Sequence, residues 1–165
     1  MRPEAVHEFF QGLDEAGVDF VAYLPESWLY EVYQELGKRP DITSVAAESE
    51  TTGVCICAGA WLGGKTPAMI MENSGIFEAC LAICKLSVGH GIPFLLLVSY
   101  RGDVGDGNFW AMPHALAPRV LEALRIPYIL VRRVDEIRSA ILRARRTFAA
   151  SKYPVAVLFS GEAVE

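Results

Sequence analysis

Apolar positions change their spacing along this chain in a regular cycle. Val6, Phe9, Phe10, Leu13 and Ala16 recur at helical intervals between Pro3 and Ala16, with Pro3 tolerated in the first turn and Gly17 as a stop. Val18 to Leu24 is a short β-branched and aromatic run ended by Pro25, which predicts a strand. Ser27 is expected to cap a helix from Trp28 to Gly37 that buries Leu29, Val32, Tyr33 and Leu36. The cycle repeats as strand Thr43 to Ala47, helix Thr51 to Leu62, a Gly63-Gly64 break, strand Ala68 to Met71 and helix Ile76 to Val88. Pro93 to Tyr100 is almost continuously apolar, as a central parallel strand must be. A loop from Arg101 to Pro113 leads to helix Ala115 to Leu124, strand Tyr128 to Val131, helix Val134 to Ala150 and strand Val155 to Phe159. Six strands alternating with helices predict a three-layer, doubly wound α/β fold with a mainly parallel sheet.

Two of the helices break the amphipathic rule. Gly53-Val-Cys-Ile-Cys-Ala-Gly-Ala-Trp-Leu62 has no charged side chain, and Phe77 to Leu86 has two. A helix apolar on every side needs cover on every side, so a second subunit is expected against this layer, with contacts between copies of the chain as well. The 52% hydrophobic content points the same way, and 165 residues suit one domain, taken as 1–165.

Charge narrows the function classes. A formal net charge of −5 argues against an extended nucleic-acid surface, and the basic run Arg132, Arg133, Arg138, Arg143, Arg145 and Arg146 reads as a solvated helix face. No stretch reaches the ~18 uninterrupted apolar residues of a membrane span, and the first residues lack a signal peptide's apolar run, so a cytoplasmic protein is expected. Cys55, Cys57, Cys80 and Cys84 lie at helical rather than zinc-site spacing and are expected to be buried, reduced thiols.

Val45 to Gly75 holds two β-to-α corners of one parallel sheet, the kind of crevice in which α/β proteins hold ligands. Glu50 stands at the first, after a strand and before an apolar helix, where a carboxylate can face a dry pocket or, more simply, favour the helix dipole. Glu48 suits the capping role equally well. Asn73-Ser74-Gly75-Ile76 forms the second corner, either an ordinary turn or a close backbone approach to a flat ligand. Arg101, Asn108, Trp110 and His114 lie in or beside the long loop; a guanidinium could hold a second anionic group, with Asn108 as another substrate contact, and His114 could move a proton. His7 and His90 read as structural.

Glu50-Thr-Thr-Gly53-Val-Cys-Ile-Cys-Ala58-Gly59 resembles the E-x-x-A/G-x-x-x-A-x-G segment of the pyrimidine-binding domain of thiamine-diphosphate enzymes. Leu24-Pro25-Glu26-Ser27 resembles that family's V-P-G-D corner, and Asn73-Ser74-Gly75-Ile76 its T-S-G or Y-G-V corner. The whole chain looks most like the small α-type subunits of the sulfopyruvate and phosphonopyruvate decarboxylase family. The resemblance implies that Glu50 bonds N1′ of the aminopyrimidine and favours its imino tautomer, that Pro25 and residues Asn73, Ser74, Gly75 and Ile76 line the pyrimidine, and that a 2-oxoacid is decarboxylated to an aldehyde. Gly105-Asp106-Gly107 mimics the start of the family's diphosphate-and-magnesium motif, but no later Asn completes it. The resemblance therefore implies that a separate diphosphate-binding subunit holds the diphosphate and Mg2+. A nucleotide-binding module lacks its G-x-G-x-x-G here; a non-catalytic or carboligating subunit of the same fold stays open.

Overall fold

Alternate residues of the strands serve two different cores. In the computed structural model, which describes residues 1–107 and 111–164, the chain runs α1 (Pro3–Ala16), β1 (Phe20–Tyr23), α2 (Tyr30–Leu36), β2 (Thr43–Ala46), α3 (Glu50–Leu62) and β3 (Pro67–Glu72). Two short helices, α4 (Gly75–Glu78) and α5 (Cys80–Ala82), pass into a π-helix at Ile83–Gly89 before β4 (Leu95–Tyr100). There follow α6 (Ala111–His114), α7 (Ala117–Ala123), β5 (Tyr128–Val131), a 3-10 turn at Val134–Glu136, α8 (Ile137–Ser151), β6 (Val155–Ser160) and α9 (Gly161–Val164). The six strands form one sheet in the order β2-β1-β3-β4-β6-β5, and every pairing is parallel.

On one face Val21, Ile70, Leu97, Val157 and Phe159 meet Phe9 and Leu13 of α1, Leu36 of α2 and Phe148 of α8. On the other, Ala22, Met69, Met71, Leu96, Val98 and Leu158 meet Val54 and Cys57 of α3, Ile76 of α4, Ile83 of the π-helix and Leu121 of α7. Each large side chain wholly removed from water contributes roughly 1.5–3 kcal/mol of transfer free energy, so the period-two alternation fixes which face each strand residue serves. Three layers result, as the alternation of elements predicts.

Several local expectations need correction. Ser27 does not cap α2; the Glu26 carboxylate reaches over it and accepts from the amides of Trp28 (2.8 Å) and Leu29 (2.7 Å), delaying the helix to Tyr30. Ser49, not Glu48, caps α3 by accepting from the Thr52 amide at 3.2 Å. The helix expected over Ile76–Val88 is broken: its last part is π-helical, the His90 amide donates to Lys85 O at 3.1 Å, and the widened turn lets buried Ser87 bond Ile92 O. The expected loop from Arg101 to Pro113 closes into the α6 turn at Ala111. Cys57 alone is buried among the cysteines; Cys55 and Cys84 are exposed, because α3 and the π-helix have an uncovered side.

That uncovered side continues over the layer of α3, α4 and α7. Leu62 of α3 (73% exposed), Leu81 of α5 (66%), Met112 of α6 (82%) and Leu116 at the start of α7 (58%) all face solvent. Three arginines of the basic run are paired, Arg132 with Asp103, Arg133 with Asp135 and Arg138 with Glu15, and Arg145 donates to Ala16 O at 3.0 Å. Among the described residues no helix is long and apolar enough to cross a membrane.

Candidate active site

The chain leaves β1 for β2 on one side and returns to β3 on the other, so the carboxyl ends of β1 and β3 flank the topological switch point. Residues from four segments meet around this edge: Pro25 to Trp28 after β1, Glu50 at the start of α3, Glu72 to Gly75 at the end of β3, and Arg101 after β4.

Glu50 is the first residue of α3, immediately after its Ser49 cap. Its carboxylate is partly buried and makes no ion pair among the described residues. It lies against the second corner: a Cβ built on Gly75 would stand 2.3 Å from Glu50 Cγ and 2.7 Å from Oε1, so only glycine leaves room. The two helix starts are also stitched together, since Glu78 of α4 accepts from the Thr51 amide at 2.8 Å and the Thr51 hydroxyl donates to Glu78 O at 3.2 Å. Burial raises the proton affinity of Glu50, the charges of Glu78 and Glu72 raise it further, and its own backbone amide opposes them.

The second cluster is charged and largely shielded. Arg101 is only 7% exposed. Its guanidinium donates to Ser27 Oγ at 2.9 Å, lies 3.5 Å from Glu26 Oε2 and 3.6 Å from Glu72 Oε2, and stacks 4.1 Å from the centre of the Trp28 ring. Glu26 has its pKa raised, first by burial, although the Trp28 and Leu29 amides and Arg101 pull it down. Glu72 Oε1 lies 3.2 Å from His114 Nδ1, near enough for an ion pair but short of an aligned hydrogen bond, and 3.4 Å from Ser74 Oγ.

Asn73 ties this cluster together and is wholly buried. Its amide group donates to Arg101 O and to His114 O, both at 2.8 Å, and its oxygen accepts from the Arg101 amide at 3.2 Å. Gly102, at φ +103°, packs so closely on the α6 turn that a Cβ would fall 2.3 Å from Ala111 O.

The structure therefore brings Glu50, Ser74 and Gly75 to one corner and Asn73, Arg101 and His114 to the next. Pro25 is exposed at the end of β1, while the Ile76 side chain is wholly buried in the core, which takes up the contact expected of it with a ligand. The Asn73 side chain is spent on backbone groups. Asn108 and Trp110 lie outside the described residues. His7 and His90 are both exposed. Sequence reasoning passed over Glu26, Trp28 and Glu72; a carboxylate ending the otherwise apolar run Pro67 to Met71 was the available signal.

A hollow of about 440 Å³ lies beside the cluster, lined by Arg2, Trp28, Asp103 to Gly107 and Ser160 to Glu162. A larger one, about 790 Å³, lies between the start of α1 and Val134-Asp135, away from every candidate residue. The smaller is the more telling because Trp28 joins it to the charged cluster. Neither is lined by Glu50.

No protein-family model matches the chain. It is similar to sulfopyruvate decarboxylase subunit alpha of Methanococcus maripaludis, 33% identical over 150 residues that make up 90% of each chain. The same subunit of Methanocaldococcus jannaschii is 30% identical over 91% of this chain and 89% of its own. Phosphonopyruvate decarboxylase of Streptomyces viridochromogenes is 26% identical over 89% of this chain but 38% of its own length.

Proposed function

Because the chain belongs to the sulfopyruvate decarboxylase subunit alpha family, we propose that it is one subunit of a decarboxylase acting on a 2-oxoacid with a second anionic group, sulfopyruvate or phosphonopyruvate, with thiamine diphosphate as cofactor. The observation that carries the cofactor reading is the Glu50 corner: a partly buried carboxylate with no cationic partner among the described residues, laid against a glycine that no other residue can replace without displacing it. The residues present fit an aminopyrimidine, since Glu50 offers a carboxyl to a ring nitrogen and Gly75 offers close backbone approach. Thiamine diphosphate supplies the electron sink that the departure of CO2 from a 2-oxoacid requires.

The work of this chain's own residues is binding and proton placement. Burial and the neighbouring Glu78 and Glu72 charges favour a protonated Glu50, the form that donates to a ring nitrogen. Gly75 keeps that carboxyl in place. Arg101 stands in the crevice, but its guanidinium is committed to Glu26 and Ser27 and stacked on Trp28, so it would meet a sulfonate or phosphonate by exchanging one of these partners. His114, with Nδ1 facing Glu72, has Nε2 left for moving a proton.

The partly buried Glu50 carboxylate with no cationic partner among the described residues, and the exposed Leu62, Leu81, Met112 and Leu116, support a second subunit closing over this edge. Thiamine's diphosphate and Mg2+ are assigned to that subunit, since the Gly105-Asp106-Gly107 sequence lacks its later Asn. The test is to co-express the chain with a diphosphate-binding subunit and follow CO2 release from sulfopyruvate and phosphonopyruvate. Release that requires thiamine diphosphate, Mg2+ and both chains is expected; release from this chain alone, or without the cofactor, would overturn the reading.

A further inference from the structure

We propose that Glu72 is the positioning residue of His114, holding its imidazole in the tautomer with hydrogen on Nδ1 so that Nε2 is the nitrogen that exchanges a proton. This rests on the proposed role of His114 in the reaction, but the geometry behind it is independent of any cofactor.

Two consecutive residues at the end of β3 hold His114 at both ends. Asn73 donates to the His114 carbonyl at 2.8 Å, fixing its main chain, and Glu72 Oε1 stands 3.2 Å from Nδ1, facing the ring. The α6 turn that carries His114 has little freedom of its own, because Gly102 packs its backbone against Ala111 and Ala115. A central parallel strand is among the most rigid places in an α/β fold, and a proton-moving group held from such an element keeps its geometry. His114 Nδ1 is removed from water and has no aligned hydrogen bond, so the carboxylate at 3.2 Å is the group that decides whether it carries hydrogen.

Glu72 is not the sole partner of Arg101. Arg101 has Glu26, Ser27 and the Trp28 ring as partners, and its separation from Glu72 Oε2 is the longer of its two carboxylate contacts, 3.6 Å against 3.5 Å. Glu26 and Glu72 both stand beside one arginine, and Glu72 turns its other oxygen, Oε1, to the imidazole. The Ser74 hydroxyl, donating to the same Oε1 at 3.4 Å, keeps this oxygen from turning away. A carboxylate oxygen so placed can only accept, so a small turn of the ring that aligns the pair puts the hydrogen on Nδ1, as an orienting acid does for a general acid–base histidine.

The experiment is Glu72→Gln, read in two ways. In the 15N-labelled full chain, long-range 1H–15N spectra, with His114 identified by its loss in His114→Asn, should show Nδ1 protonated in the wild type. In Glu72→Gln the ring should become a mixture of tautomers, because an amide offers Nδ1 either a donor or an acceptor. In the complex with the diphosphate-binding subunit, Glu72→Gln should lower kcat about 10- to 100-fold and leave KM within about threefold; Glu72→Asp should recover part of the loss. A wild-type tautomer in Glu72→Gln, or a KM effect without a kcat effect, overturns the assignment, and Glu72→Asp, read by the same spectrum, decides if Glu72→Gln does not fold. An inactive wild-type complex would instead count against the proposed function, leaving the tautomer measurement to judge the positioning role alone.

Discussion

Gly75 and Glu50 occupy one space: the Cβ that any other residue would place at position 75 falls 2.3 Å from Glu50 Cγ. A corner glycine at the end of one strand thus sets the posture of a carboxylate that starts a different helix. The relationship predicts that Gly75→Ala pushes the Glu50 side chain aside without harming the fold, since alanine is the better helix former by about 1 kcal/mol and the displaced group is a flexible side chain. Activity of the two-subunit complex should fall at least tenfold while urea-unfolding stability stays within about 1 kcal/mol of the wild type.

Asn73 is the opposite case, a residue whose loss should be felt in stability. Asn73→Ala removes acceptor and donors from a site with no water access, orphaning Arg101 O, His114 O and the Arg101 amide. A destabilisation of about 2–4 kcal/mol is expected in equilibrium unfolding, the cost of several buried groups left unpaired.

Glu26 gives stability a pH dependence of definite sign. Burial raises its pKa above the ordinary 4.5, against the pull of Arg101 and two amides, with Glu72 opposing them. The folded chain therefore holds this proton more tightly than the unfolded chain, so the contribution is present at low pH and lost as pH rises from 4.5 through the raised value. Compared with Glu26→Gln, the wild type should gain stability as pH falls across that window, by up to about 1.4 kcal/mol per pH unit, and the difference should level off below it.

The four thiols report on the uncovered layer. Cys57 is buried, which pushes its thiol up to about 12, whereas Cys55 and Cys84 are exposed. Maleimide should label Cys55 and Cys84 in the folded chain and Cys57 only after unfolding. Addition of the diphosphate-binding subunit should protect Cys55 and Cys84; unchanged labelling in an active complex would place the interface elsewhere.

The strands and their order of faces were legible because burial on both sides of a parallel sheet leaves a nearly unbroken apolar signature, as in Leu95 to Tyr100. Glu50 by its position alone suits a helix-dipole acid equally well; it was the likeness of the stretch Glu50 to Gly59 to the E-x-x-A/G-x-x-x-A-x-G segment that singled it out. What local pattern does not record is partnership across the sheet. Glu26 reads as a turn residue until its oxygens are seen on the Trp28 and Leu29 amides, and Glu72 reads as the frayed end of a strand until His114 and Arg101 are brought beside it from 42 and 29 positions away. The π-helical turn at Ile83 to Gly89 was invisible for the same reason, because its inward residue Ser87 is decided by the carbonyl of Ile92 and not by periodicity.

The central claim is that the Glu50 carboxyl serves the cofactor and not the fold. Glu50→Gln in the co-expressed complex tests it most directly, by kcat for 2-oxoacid decarboxylation at saturating thiamine diphosphate alongside the melting temperature. A fall of kcat by about 100-fold or more with an unchanged melting temperature is the result the account predicts. Wild-type kcat in Glu50→Gln would contradict it.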